Sequence, residues 1–386
     1  MPEPLLSPVI MVKLVHNRKL LVSILVTSLL TCLISHGAVP DSTLGEYLRL
    51  GQYDAVIEQT TQISPEALPP TTHYLRGMAY WNLGQFSSAA ADFEKSGNYA
   101  PWNNWANPSE YLRKYSAVKK TLPAQSHRIM QGDRIQFQVY YDTMTPWVET
   151  IIANLPKASA IGNQLFHTEM PDSSVYIFAS RKQFGSFHRA WLGMEPQPWQ
   201  YSGGASGVLL FADMYLDAPR GSQQDYSNYL QSLIAHEYTH SIIQWRVGSI
   251  PTPRWFEEGL AMYAGSQASP NDIANNDAQM RRLIANNGLL SYANLNSKFY
   301  ESYAASCAGR EKTNSYEQGL SMVRYLLTVI TTDQLADMLQ QIREEQNFDK
   351  AFAHTLDITP EAFYAAWYQS ANDRYSPNPH SDAVGL

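Results

Sequence analysis

Cysteine is nearly absent from this chain: 386 residues hold only Cys32 and Cys307. Cys32 falls in an N-terminal stretch with the marks of an export leader, so a chain cleaved beyond it keeps one thiol and forms no internal disulfide. A disulfide framework is thereby excluded. No histidine lies near Cys307 in sequence to activate it, and that thiol reads as a small buried hydrophobe. Charge is also sparse, at 16% of residues, and tilts acidic, with 35 Asp and Glu against 28 Lys and Arg for a net −7. That balance argues against nucleic acid or anionic lipid as a partner. Apolar residues are plentiful by contrast: 44% hydrophobic and 12% aromatic content builds a real core, and the length allows two or three domains.

An apolar run of comfortable membrane-spanning length is also missing. LLVSILVTSLLTCLI, residues 20–34, is shorter than the roughly 20 residues a spanning helix needs. Lys13, His16, Arg18 and Lys19 precede it and SHGAVP follows, with small Ser35 and Gly37 ahead of Ala38. Residues 1–37 therefore read as an export signal, cleaved before Ala38. The alternatives are an uncleaved membrane anchor and a lipobox, LLTC, acylated on Cys32. In each case the expected location is outside the cytoplasm, periplasmic or extracellular, with membrane contact only through this segment.

Two later stretches resemble each other. YLRLGQY ends at Tyr53 and YWNLGQF at Phe86, so Leu-Gly-Gln-aromatic recurs after 33 residues, a period that means stacked helix pairs. The second unit, with Gly77, Tyr80, Leu83, Gly84, Phe86, Ala90, Phe93 and Pro101, resembles a tetratricopeptide repeat. SEYLRKYSAVKKTL, residues 109–122, is expected to cap the stack, which places helical repeats over 42–122. Such repeats imply either a groove for a protein partner or a cover for an apolar face of the next domain.

Beyond Pro123 the texture changes. RIQFQVYYD, residues 134–142, alternates like a strand. WVETIIANLPKASAIGNQLF has helical periodicity with an interrupting proline, while SVYIFAS and ASGVLLFADMYL read as buried strands. Helices then dominate to the end. Strands followed by helices predict an α+β domain over 128–370 with its site where the two regions meet, and a flexible tail over 371–386.

The densest chemistry lies in LIAHEYTHSIIQWRVGSIPTPRWFEEGLAMYAG, residues 233–265. The apolar periodicity predicts a helix from about Tyr226 to Val247, stopped at Gly248 and with Arg246 in its last turn. His236 and His240 are one turn apart on one face, so both imidazoles can reach one metal ion, while Glu237 beside them can address a water on that ion. A tetrahedral site with one open position needs a third protein ligand. Glu258 is the candidate, on a short helix from Trp255 to Ala264 that Thr252 would cap and Gly265 would stop, with Gly259 letting it lie close against the first helix. Only one of Glu257 and Glu258 can face the metal, and Glu257 reads as part of a solvated face.

Together these halves resemble the gluzincin metallopeptidases, in which H-E-x-x-H is followed by W-x-x-E-G-x-A, here Trp255 to Ala261. Seventeen residues separate His240 from Glu258, one fewer than in the large aminopeptidase branch. The order of elements, ending in YEQGLSMVRYLL, is similar to the compact peptidase-MA-like domains. Metzincins fit worse, because their extension needs glycine and histidine where this chain has Ile243 and Arg246, and GMEP at 193–196 only echoes an exopeptidase motif. The resemblance implies a zincin-like fold, a catalytic Zn2+ on His236, His240 and Glu258, Glu237 as general base, peptide or protein substrates, and Tyr316 as donor to the oxyanion. Residues 207–211 are expected to form the edge strand that pairs with substrate. The alternative is a helical-repeat scaffold or binding protein whose peptidase-like domain is catalytically silent.

Overall fold

The computed structural model describes residues 40–376 apart from 100, 102–104, 132–133, 169, 171, 198–199, 214–222, 270 and 308–313. The expected leader with Cys32, the side chain of Cys307 and residues 377–386 lie outside the described residues. Among the described residues, no helix is long and apolar enough to cross a membrane.

The N-terminal part is a stack of helices. α1 (Asp41–Arg49) and α2 (Tyr53–Thr61) form one pair, α3 (Pro70–Asn82) and α4 (Phe86–Ser96) a second, and α5 (Pro108–Lys119) closes the stack. The recurring Leu-Gly-Gln is one turn used twice. Gly51 and Gly84 adopt φ of 71° and 70°, and the next amide, Gln52 or Gln85, donates to the carbonyl of Tyr47 or Tyr80 at 2.8 Å in both copies. That left-handed glycine with its back-reaching amide is a Schellman stop, which satisfies carbonyls the helix end would leave unpaired. Within the second pair Gly77 lies under the Phe93 ring, which stacks on Tyr111 of α5 at 4.5 Å. Asp92 of α4, buried, accepts from Arg76 and pairs with His73, both on α3. Every residue from Thr72 to Ala79 is buried, so this stretch of α3 has no open face.

The sheet has the order β1-β2-β3-β5-β4, formed by Gln125–Gln131, Arg134–Tyr141, Ser173–Phe178, Val208–Ala212 and Ser202–Ala205 respectively. β2, β3 and β5 are parallel neighbours, while β1 and β4 run antiparallel on the two edges. α6 (Pro146–Phe166) follows β2, and α7 (Arg181–Leu192) follows β3. Pro156 does not interrupt α6, which runs through it for 21 residues. Burial of Ile151, Leu155 and Ala158 outweighs the backbone bond that proline forfeits. The expected edge strand at 207–211 is corrected: Val208–Ala212 lies between β3 and β4, and the edge belongs to Ser202–Ala205. Ser206 and Gly207, with φ of 44° and 86°, turn the chain back in two residues with positive φ at both, the hairpin geometry that matches strand twist.

Helices α8 (Gln223–Val247), α9 (Arg254–Ala268), α10 (Asn271–Ala285), α11 (Tyr292–Ser297), α12 (Phe299–Cys307), α13 (Ser315–Val329), α14 (Thr332–Glu345), α15 (Phe348–Leu356) and α16 (Pro360–Tyr375) complete the described chain. The tail begins later than residue 371, because Ala371 and Tyr375 are buried on α16 and the Tyr375 hydroxyl donates to Asp277.

Both faces of the sheet are covered, which is why the central strands read as unbroken apolar runs. Alternate residues point opposite ways. Val175, Ile177, Leu209 and Phe211 join the core with α6, α8 and the C-terminal helices, while Tyr176, Phe178, Val208 and Leu210 join α7 and the N-terminal stack. Each Leu-Gly-Gln turn docks there or beside it. The Tyr176 hydroxyl donates to the Gly84 carbonyl at 2.8 Å, and the Ser249 amide donates to the Leu50 carbonyl at 3.2 Å. Trp245 of α8 donates to Asp54. Phe86 sits among Tyr176, Phe187 and Trp191 with ring centroids 5.8–5.9 Å apart.

The helical stack is thus the second cover of the sheet. Phe86→Ala is expected to cost about 3–5 kcal/mol in equilibrium denaturation. A chain beginning at Gln125 would leave Tyr176, Val208 and Leu210 bare, and is expected to aggregate rather than elute as a monomer in size-exclusion chromatography.

Candidate metal centre

α8 carries His236 and His240, one turn apart, with their Nε2 atoms 3.1 Å apart. The helix runs to Val247 and ends on Gly248 at φ 74°. α9 brings in Glu258, only 4% exposed, whose Oε2 lies 3.4 Å from His236 Nε2 and 3.3 Å from His240 Nε2. An ion held tetrahedrally by nitrogen and oxygen at about 2.0–2.1 Å needs its donors roughly 3.3 Å apart. The three atoms form that triangle. Among the described residues this is the one group of three or more His, Cys, Asp and Glu side chains close enough to share an ion.

Glu258 Oε2 is buried and makes no hydrogen bond, which is expensive for a carboxylate unless a charge compensates it. The fit to a metal is therefore good: two imidazole nitrogens and an orphaned carboxylate oxygen converge, a donor set suited to zinc. Without an ion the three groups compensate one another. Burial pushes the Glu258 carboxyl up, but the adjacent imidazoles of His240 and His236 outweigh it and hold that carboxyl well below its usual range. Burial pushes His240 down, yet the adjacent Glu258, with lesser contributions from Glu237 and Glu257, raises it to about 9.

Three features of α9 differ from the sequence reading. The helix starts at Arg254 with Pro253 as an N-cap that makes no side-chain bond, and Thr252 bonds to Glu257 instead. It passes through Gly265 to Ala268. Gly259 approaches α13 rather than α8, since a methyl there would meet the Gly319 carbonyl at 2.5 Å and Val323 at 2.7 Å. The glycine that admits α8 is Gly265, against Ser232. α9 is thus wedged between two helices at two glycines. Trp255, fully buried and stacked on Phe363 at 5.7 Å, fixes its start.

Glu237, on the same helix as the histidines, points to the sheet edge. Ser202 of β4 donates to its Oε1 at 2.6 Å, and β4 comes this close because Gly204 lies on the Glu237 carbonyl with no room for a side chain. Glu257 bonds to Thr252 and, at 2.7 Å, to Arg254. Tyr316, at the start of α13, lies between Phe299 and Tyr303 at 5.0 and 4.5 Å, with its ring 6.5 Å from that of His236. Burial, then the charge of Glu258, pushes its phenol up, so it stays protonated as a donor.

Two contacts of the site escape a reading of the sequence. Ser202 is marked only by the glycine pair after it. Tyr300 of α12, which donates to Glu258 Oε1 at 2.7 Å, is marked by nothing, being one of 24 tyrosines.

Residues 199–371 match the family model of the Peptidase MA superfamily, which is typically metal-dependent. The match contains β4, β5, α8, α9 and α13, hence His236, Glu237, His240, Glu258 and Tyr316, and it supports a peptidase-like hydrolase domain. No curated protein matches the chain.

In metal-free protein the raised His240 stabilises the fold fully below about pH 6.5, its ordinary value, and that contribution is lost as pH rises through about 9. The lowered Glu258 contributes above about pH 4.5 and is lost on acidification. Metal-stripped protein is therefore expected to melt highest near pH 5–6.5 and progressively lower toward pH 9. Zinc competes with the proton, so its affinity is expected to rise over the same interval. Melting curves across pH with chelator, set beside zinc titrations, check both.

Proposed function

We propose that this chain is an exported zinc-dependent metallopeptidase, an endopeptidase, with His236, His240 and Glu258 as zinc ligands and Glu237 as general base. The observation that carries the reading is the buried, unbonded Glu258 Oε2 facing two imidazole nitrogens at tetrahedral spacing. Bound there, zinc would supply Lewis acidity to a water and to the scissile carbonyl.

The remaining chemistry belongs to this chain. Glu237 takes the proton of the attacking water and delivers it to the leaving amine. Ser202 holds Oε1 of that carboxylate and leaves Oε2 for the proton. The Tyr316 hydroxyl donates to the oxyanion. An extended substrate pairs with the edge strand β4, where Gly203 presents no side chain and Gly204 lies against α8. The helix pairs at 41–96 fit tetratricopeptide-like repeats, and a protein partner would use the outer faces of α1 and α2, because α3 is enclosed.

Glu258→Ala is expected to lose most of the zinc, as read by metal analysis. Glu237→Gln should keep the zinc and lose peptide hydrolysis by about a hundredfold or more, the effect of removing a positioned base. Equal zinc loss in both would overturn the assignment of the two glutamates, and full metal with no hydrolysis in the parent chain would favour the silent scaffold. N-terminal sequencing of exported protein should begin at Ala38; a start at Met1 in cytoplasmic protein would refute export.

A further inference from the structure

We propose that Tyr300 is the positioning residue of the metal centre: its hydroxyl holds Glu258 Oε1, so that the carboxylate offers the ion one oxygen, Oε2. This rests on the reading of His236, His240 and Glu258 as a zinc site. The two oxygens of a glutamate are equivalent until something distinguishes them, because the terminal torsion is soft and two-fold. Here they are distinguished fully. Oε1 accepts from Tyr300 at 2.7 Å, whereas Oε2 is buried, bonded to nothing and directed at both Nε2 atoms. A hydroxyl fixed on one oxygen stops the carboxylate from turning and keeps Oε1 out of the coordination sphere. That leaves room at the ion for water and substrate, which a carboxylate bound through both oxygens would take up.

Tyr300 is itself held from the first turn of α9. The Arg254 guanidinium lies over its ring at 5.5 Å, and Arg254 is paired with Glu257 at 2.7 Å. The adjacent glutamates thus have separate tasks: Glu258 faces the ion, and Glu257 anchors the arginine that seats the tyrosine on Glu258. Packing on Phe299 at 5.6 Å does not by itself explain the residue, because Tyr300 is 38% exposed while its hydroxyl reaches a carboxylate 42 residues earlier in the chain.

The test uses the full chain, stripped of metal and titrated with zinc alone. Tyr300→Phe keeps the ring and its contact with Arg254 and removes only the donor. Zinc affinity is expected to fall about 10–100-fold, the range for losing a partner behind a metal ligand. The metal-free protein should stay folded but melt somewhat lower, since Oε1 loses its donor, and the visible spectrum of the cobalt-loaded protein should shift as the carboxylate changes its mode of binding. In a Glu258→Ala background the same change should cost no further affinity. Parent-like zinc affinity and cobalt spectrum in Tyr300→Phe would overturn the proposal, and so would an equal loss in the Glu258→Ala background, which would show that Tyr300 acts through something other than Glu258. Failure of the parent chain itself to take up zinc would instead overturn the underlying metal assignment.

Discussion

A carboxylate buried to 4% exposure with one oxygen unbonded is the demand around which the second half of this chain is arranged. Taking an isolated carboxylate out of water costs several kcal/mol even after relaxation, so Glu258 persists only if cationic or metallic charge meets it. Two imidazoles one helical turn apart do so. They can because α9 is pressed against α8 at Gly265 and against α13 at Gly259, and because Trp255 anchors its first turn in an aromatic cluster with Phe348, Phe352 and Phe363. The glycines at 259 and 265 are thus close contacts between helices, each letting α9 approach a neighbour that a side chain would hold off.

The same principle operates at the sheet edge. Gly204 lets β4 lie on the backbone of α8, and that approach places Ser202 on Glu237. Under the proposed function that carboxylate is the base, so the strand that would carry the substrate also holds the group that would move the proton. The far end of α8 is fixed as well. Gly248 leaves space for the Leu50 carbonyl, and Trp245 reaches Asp54, so the N-terminal stack touches the histidine-bearing helix α8 at its C-terminal turn and the sheet at Tyr176. Its two homologous turns make two different contacts. The stack and the domain that follows it share one hydrophobic core, and this ties the helical pairs to the stability of the site behind the sheet.

Most of the site that depends on local spacing is legible in the order of residues alone. Two histidines four apart on a helical segment can only share a helix face. The glycine at 248 stops that helix, and the runs at 174–178 and 208–212 are strands buried on both faces. The Leu-Gly-Gln recurrence marks two helix pairs with one turn geometry. Expectation and structure part where a residue's effect depends on what lies across from it. Pro156 reads as an interruption, but packing carries α6 through it. Gly265 reads as a stop, yet its missing side chain serves the contact with Ser232. Val208–Ala212 reads as an edge, although the hairpin at Ser206-Gly207 adds another strand outside it.

What the sequence by itself determined was therefore the periodic part: the shared face of His236 and His240 on α8, the glutamate-bearing helix after it, the mixture of strands and helices, and the repeat. Each follows from a fixed geometric period of 3.6 or 2 residues, or from a backbone angle that glycine adopts without strain. Only the tertiary structure decided that Gly259 meets α13, that β4 is the edge, that Ser202 bonds to Glu237 and Tyr300 to Glu258, and that the helical stack covers the second face of the sheet. Those contacts join residues tens of positions apart, and no local period records which of 24 tyrosines or which serine the folded chain delivers to a carboxylate.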